Sequence, residues 1–204
     1  MKTPTIFLLA LLPLFTTFVV KEEAQTPNDK QYVFVQTMGE VNKEDLNLVV
    51  STISDFYGYE VIVNGEFPLI DSLKVKNTNR YQANRVLSAS NTMNVDLDGK
   101  VLILTEYDIC TDRKLNGVVH KNWGVFGLAG VGKQTTLVST YRMKNNHNNR
   151  LVKVTVHELG HTLGLHHCTS DKDCVMNDAQ GKGSNLDGTQ IKLCDNCKKT
   201  IGIL

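Results

Sequence analysis

Residues 157–168 read HELGHTLGLHHC, and Cys174 follows six positions later. Imidazoles, a carboxylate and thiols at such close spacing are the side chains that hold transition-metal ions. His157 and His161 stand four apart, so on a helix they share one face, one turn from each other. Two imidazoles in that relation can reach a common ion at about 2.0–2.1 Å from each nitrogen. Glu158 projects beside them, near enough to reach a water on that ion without ligating it. Gly164 can end the helix in a left-handed conformation and turn the chain back, bringing His167 to the same ion. Three neutral imidazoles leave a fourth position open, as a zinc that does chemistry requires. His166 points to another face and belongs to solvent or to a supporting role.

Such ligands need a rigid frame. From about Arg150, LVKVTVHELGHTLGL reads as the helix that carries them. Upstream, QYVFVQTMG (Gln31–Gly39) alternates apolar and polar residues as a strand does. Leu46, Val49, Val50, Ile53 and Phe56 recur at helical spacing, with Asn42 as N-cap, Glu44 and Asp45 in the first turn and Gly58 as C-cap. YEVIVNGEF reads as a second strand bent at Asn64-Gly65, and a weaker helix is expected over Arg80–Ser90. Lys100–Cys110 reads as one buried strand, TTLVSTYRM (Thr135–Met143) as another, and TQIKLCDNCKKTIGIL as a final helix. The glycines of GVFGLAGVGK (Gly124–Lys133) match neither the phosphate-loop spacing nor a strand–GxGxxG–helix unit; they suit an exposed loop or an edge strand. The order of elements indicates an α/β or α+β fold around one sheet.

H-E-x-x-H is the arrangement of zinc proteases. HELGHTLGLHH resembles the longer H-E-x-x-H-x-x-G-x-x-H motif of the metzincin metalloproteases. Its continuation narrows the resemblance to the archaemetzincins, whose motif goes on as C-x4-C-x-M-x17-C-x-x-C. Cys168 follows His167, Cys174-Val175-Met176 supplies the C-x-M, and Cys194-Asp195-Asn196-Cys197 closes the pattern after 17 residues. One departure is visible: the five residues TSDKD separate Cys168 from Cys174, where the family has four. The resemblance is strong over His157–Cys197 and weak over the rest of the chain.

The resemblance implies a metzincin-like domain with a mixed twisted sheet, an active-site helix carrying HExxH and a C-terminal helix tied by a structural zinc. His157, His161 and His167 would bind a catalytic zinc, Glu158 would be the general base, and Met176 the Met-turn residue beneath the ligands. Cys168, Cys174, Cys194 and Cys197 would bind a second zinc, making two zinc ions per chain. Two close Cys pairs some twenty residues apart suit a four-thiolate site in their own right, while disulfides remain the alternative for an exported chain. Cys110 is left over as a buried core residue. The expected activity is hydrolysis of peptide or protein substrates, endo- or aminopeptidase, with GVFGLAG (Gly124–Gly130) either the edge that receives an extended substrate or a plain loop. The alternatives are an exported zinc-binding scaffold and a thiol–disulfide protein built on Cys194–Cys197, against which stand Glu158 and the lack of a thioredoxin-type context.

The whole chain sets the outer bounds. It has 204 residues, 41% of them hydrophobic, and a formal net charge of +1, enough for one domain with a core. Balanced charge with no basic run argues against a nucleic-acid partner. After Lys2 comes IFLLALLPLFTTFVV (Ile6–Val20), an apolar run of 15 residues followed by charged ones. This reads as a secretory signal, with an uncleaved membrane anchor as the alternative; a spanning helix needs about 20 apolar residues. Residues 1–25 are thus expected to be signal or anchor, 26–204 an exported, monomeric catalytic domain touching membrane only through that segment.

Overall fold

The computed structural model describes residues 31–203. The expected signal or anchor, residues 1–25, lies outside them. No helix of the described residues is long and apolar enough to cross a membrane.

The elements in chain order are β1 (Tyr32–Met38), α1 (Lys43–Tyr57), β2 (Glu60–Glu66), β3 (Tyr81–Gln82), α2 (Ala83–Met93), β4 (Lys100–Thr105), β5 (Ile109–Leu115), β6 (Val118–Val125), β7 (Gly127–Ala129), β8 (Thr135–Ser139), α3 (His147–Thr162), α4 (Gly183–Gly188) and α5 (Asp195–Thr200). Five strands form one sheet in the order β2-β1-β4-β8-β7. All its pairings are parallel except β7 against β8, so the sheet is mixed. β7 occupies one edge.

Alternation along β4 builds a layer on each face of this sheet. Leu102 and Leu104 join Val49 and Ile53 of α1 and Val154 and Leu159 of α3 in one core. Val101 and Ile103 join Ala83 and Val86 of α2 in the other. The result is α/β/α, with α3 laid along the sheet beside α1. Helix α1 forms as its caps dictate: the Asn42 side chain accepts from the Glu44 N–H at 2.7 Å, and Gly58 closes the end at φ +70°.

Four expectations need correction. The stretch Lys100–Cys110 is two strands, because side chains satisfy the backbone between them. Thr105 Oγ1 accepts from the Tyr107 N–H at 3.1 Å, and Asp108 is clamped by Arg80 and Arg142 at 2.7 Å each. The second helix starts at Ala83, three residues late, since Tyr81 and Gln82 pair in parallel with Ile109 and Cys110. The final helix is confined to Asp195–Thr200. Ahead of it the backbone bonds sideways, Val175 N–H to Lys192 O and Gln190 N–H to Asp173 O, both at 2.8 Å. A second sheet, β3-β5-β6, was not foreseen. Its β5–β6 hairpin turns at Asn116-Gly117, both with positive φ, which a two-residue turn between right-twisted strands demands.

Candidate active site

Helix α3 buries Leu151, Val154, Val156 and Leu159 against the sheet, and that packing fixes which way His157, Glu158 and His161 project. The helix stops in a Schellman turn: Gly164 N–H donates to His161 O and Leu165 N–H to Gly160 O, both at 3.0 Å, with Gly164 at φ +100°. This reversal carries His167 back over the helix end. Its ring centroid lies 5.3 Å from that of His157 and 4.9 Å from that of His161. Ligand atoms of all three histidines fall within 4.8 Å of one another. His166 is exposed and is not part of this cluster, although it lines the same cleft.

The tautomers follow from the partners. His157 Nδ1 lies 2.8 Å from Val175 O and His161 Nδ1 lies 2.7 Å from Leu165 O. A carbonyl can only accept, so each Nδ1 carries the proton and each Nε2 presents a lone pair. Those two Nε2 atoms stand 3.0 Å apart. Two facing lone pairs repel unless something cationic sits between them, and nitrogens on a tetrahedral zinc lie about 3.3 Å apart. The donor set and its spacing fit zinc. Burial, reinforced by His161, holds the His157 imidazole far below its usual range, at about 3, so it is neutral as a ligand must be.

Glu158 is buried beside this cluster against the sheet edge. Burial, then Asp178, pushes its carboxyl up to about 8. Gly127 of β7 makes room for it: a Cβ there would stand 2.6 Å from Glu158 Cγ. Met176 is fully buried against the helix, and its Sδ would be 2.7 Å from a Cβ on Gly160. The glycine inside HELGH therefore admits the methionine sulfur. A cleft of about 380 Å³ opens over Glu158 and the three histidines, bounded by Phe126–Ala129 on one side and Asp178–Gly181 on another.

The four cysteines Cys168, Cys174, Cys194 and Cys197 also converge, with sulfurs within 4.8 Å of one another and all of them free thiols. Cys168 and Cys194 sulfurs are 3.6 Å apart, those of Cys174 and Cys197 3.8 Å. Sulfurs on a tetrahedral zinc lie about 3.8 Å apart, whereas a disulfide needs about 2.05 Å. The spacing fits a closed thiolate site. The longer TSDKD loop is absorbed by its own hydrogen bonds, Cys174 N–H to Asp171 O at 3.1 Å and Asp173 N–H to Asp171 Oδ1 at 2.8 Å. Cys110 lies apart, fully buried in the core as expected.

Two cleft residues escaped notice in the sequence: Arg113 on β5 and Asp178 after Met176, paired at 2.7 Å. The Asn-Gly step at 116–117, flanked by apolar residues, was the available signal for the hairpin that brings Arg113 here.

A mixed α/β sheet backed by a helix bearing His157, Glu158 and His161, with His167 returned by a tight turn, defines a zinc metallopeptidase of the metzincin kind. The sequence model of peptidase family M54 matches residues 70–202, and the chain belongs to that family. Archaemetzincin of Halobacterium salinarum is 27% identical over 183 residues, covering 83% of this chain and 98% of the relative. That of Haloarcula marismortui is 36% identical over 90 residues, 38% of this chain and 51% of the relative. The fold is similar to the crystal structure of archaemetzincin from Methanopyrus kandleri, with a TM-score of 0.66 and 25% identity over 86% of this chain and 96% of that one. It is also similar to that of Archaeoglobus fulgidus, with a TM-score of 0.67 and 24% identity over 84% and 100%.

Proposed function

We propose that this chain hydrolyses peptide bonds with His157, His161 and His167 holding the catalytic zinc and Glu158 as general base. The observation that carries the reading is the meeting of three histidine ligand atoms with a buried carboxyl group at the free edge of a sheet. Zinc bound by His157, His161 and His167 would supply Lewis-acid chemistry, polarising a carbonyl and bringing the pKa of a water toward about 7. A bound dication beside it would offset the burial that pushes the Glu158 carboxyl up, so that Glu158 is ionised and takes a water's proton for delivery to the leaving nitrogen. The residues Val175 and Leu165, through their carbonyls, keep the His157 and His161 rings oriented. Among the described residues β7 pairs on one side only, with β8, and its other edge would receive an extended peptide through backbone hydrogen bonds. That edge is shorter than Gly124–Gly130, since Gly124 and Val125 belong to β6.

The four cysteines hold a second, structural zinc in this reading, and Met176 forms the floor beneath the ligands. The chain acts as an exported monomer, directed by residues 1–25. Elemental analysis should return two zinc ions per chain, and sedimentation a single-chain mass. Amino-terminal sequencing of the exported protein decides between a removed signal and a retained anchor. Glu158→Gln should keep both metals and lose about 10²–10⁴-fold in cleavage of a peptide library. Identical processing by wild type and variant would leave a zinc-binding scaffold as the better account.

A further inference from the structure

Among the described residues, the cleft around the hydrolytic centre is lined by two carboxyl groups, Glu158 and Asp178, and one guanidinium, Arg113, with no lysine. Arg113 reaches the cleft because of strand geometry. Along β5, Thr111 opposes Trp123 but Arg113 opposes His120, so β6 carries one extra residue at this point, next to Asn122 at φ +54°. Such a bulge re-aims the side chains around it. Asp112, between the two, pairs with Lys121 at 2.7 Å, and Thr111 and Arg113 both line the cleft.

Arg113 Nη2 donates to Asp178 Oδ2 at 2.7 Å, and Asp178 is itself held by the Gln180 N–H, which donates to Oδ1 at 2.7 Å. Among the described residues this is the one hydrogen bond recorded for a guanidinium that has five N–H donors. A partly buried ion pair of this kind, still in touch with solvent, contributes modestly to stability. It does hold the fork in place, which removes part of the ordering cost when a ligand docks. A planar fork with spare donors matches a carboxylate.

We propose that Arg113 selects substrates by receiving a peptide carboxylate beside the scissile bond, either an Asp or Glu side chain or a free C-terminus. The proposal rests on the peptidase reading above and names its substrate class. Without Arg113 the cleft would present the uncompensated charge of Asp178, repelling acidic peptides and favouring cationic ones.

The test uses the zinc-loaded full chain and a neutral, amidated parent peptide. One series walks a single Glu through the parent, a second restores the free C-terminal carboxylate, and a third walks a single Lys. Kd by fluorescence anisotropy and kcat/KM are measured at low and high salt. Wild type should favour one carboxylate series over the parent by about tenfold, the size of a charge-assisted pair, with the factor shrinking in salt. Which series gains identifies the carboxylate. Arg113→Gln should lose the preference and turn toward the Lys series; Arg113→Lys should keep its sign at a smaller factor. Asp178→Asn, whose amide oxygen can still accept from Arg113 Nη2 and so keep the fork oriented, should keep the preference even if Arg113→Gln fails to fold. Equal treatment of parent and both carboxylate series by wild type, survival of the preference in Arg113→Gln, or its loss in Asp178→Asn would each overturn the proposal. Preferential binding without cleavage would uphold Arg113's role and sink the peptidase reading; cleavage without preference would sink only the proposal.

Discussion

A Cβ at Gly127 would stand 2.6 Å from Glu158 Cγ and 2.9 Å from Leu137 O, so neither a side chain nor the neighbouring backbone can yield cheaply. Gly127→Ala should therefore displace Glu158, the proposed base. Misplacing a catalytic group by about 1 Å can cost about 10²-fold, and kcat/KM should fall by that order while zinc content stays at the wild-type value. Gly160 makes the complementary case. Ala is the better helix former by about 1 kcal/mol, yet its methyl would meet Met176 Sδ at 2.7 Å in a fully buried setting. Overpacking of this kind costs about 1–3 kcal/mol, so packing outweighs propensity. A thermal melt of Gly160→Ala should show a lower Tm; a rise would mean that the methionine floor is loosely packed.

Among the elements, the short segment 174–176 does three things at once. Cys174 belongs to the thiol cluster, Val175 O accepts from His157, and Met176 packs its sulfur against Gly160. Cys168, next to His167, accepts no such ligand role for the histidines, but its N–H donates to Met176 O at 2.9 Å. The cysteine cluster thus orders Val175, the hydrogen-bond partner of His157. Cys197→Ser touches none of the histidines, yet it should weaken zinc binding at His157 by about ten- to hundredfold, as loss of an outer partner does. Competition with a chelator measures this; unchanged affinity would show that 174–176 is held without the metal. Helix α4 depends on α3 in a similar way. Buried Lys153 donates to Leu186 O at 3.1 Å and Asp187 O at 3.2 Å. Lys153→Met would leave those carbonyls short of a partner and should cost about 1–3 kcal/mol in a denaturant titration.

At the scale of the molecule, apolar packing is divided unevenly. The strands β1, β4 and β8 are sandwiched between two cores, whereas residues 165–203 carry only two helices of six residues each. Helices that short are marginal without outside support, and a four-thiolate zinc supplies folding energy directly. Stripping bound metal with a chelator should therefore leave amide protection in β1, β4 and β8 while 165–203 exchanges freely. Hydrogen exchange resolved by segment checks this, and simultaneous loss of protection everywhere would mean that the metal sites support the whole fold.

Much of this site was legible because its pattern is local. The offsets 157, 161 and 167 are set by the helical repeat and by one glycine that permits φ +100°, so the imidazoles meet whatever surrounds them. Asn42 and Gly58 bounded α1 for the same reason, since a cap is made by neighbours in sequence. The four cysteines were legible as a group, but their sulfur spacing, which separates thiolate ligation from disulfides, belongs to the folded chain alone. So do Gly127 behind Glu158, and Arg113 on Asp178 across 65 positions. The break in Lys100–Cys110 depended on Asp108 finding Arg80 and Arg142, neither of them adjacent. One helical turn and the glycine turn that follows it make the three candidate metal ligands legible from sequence; the walls of the cleft, and hence what it accepts, are decided where distant strands and loops pack, because hydrogen bonds and van der Waals contacts between them have no period along the chain.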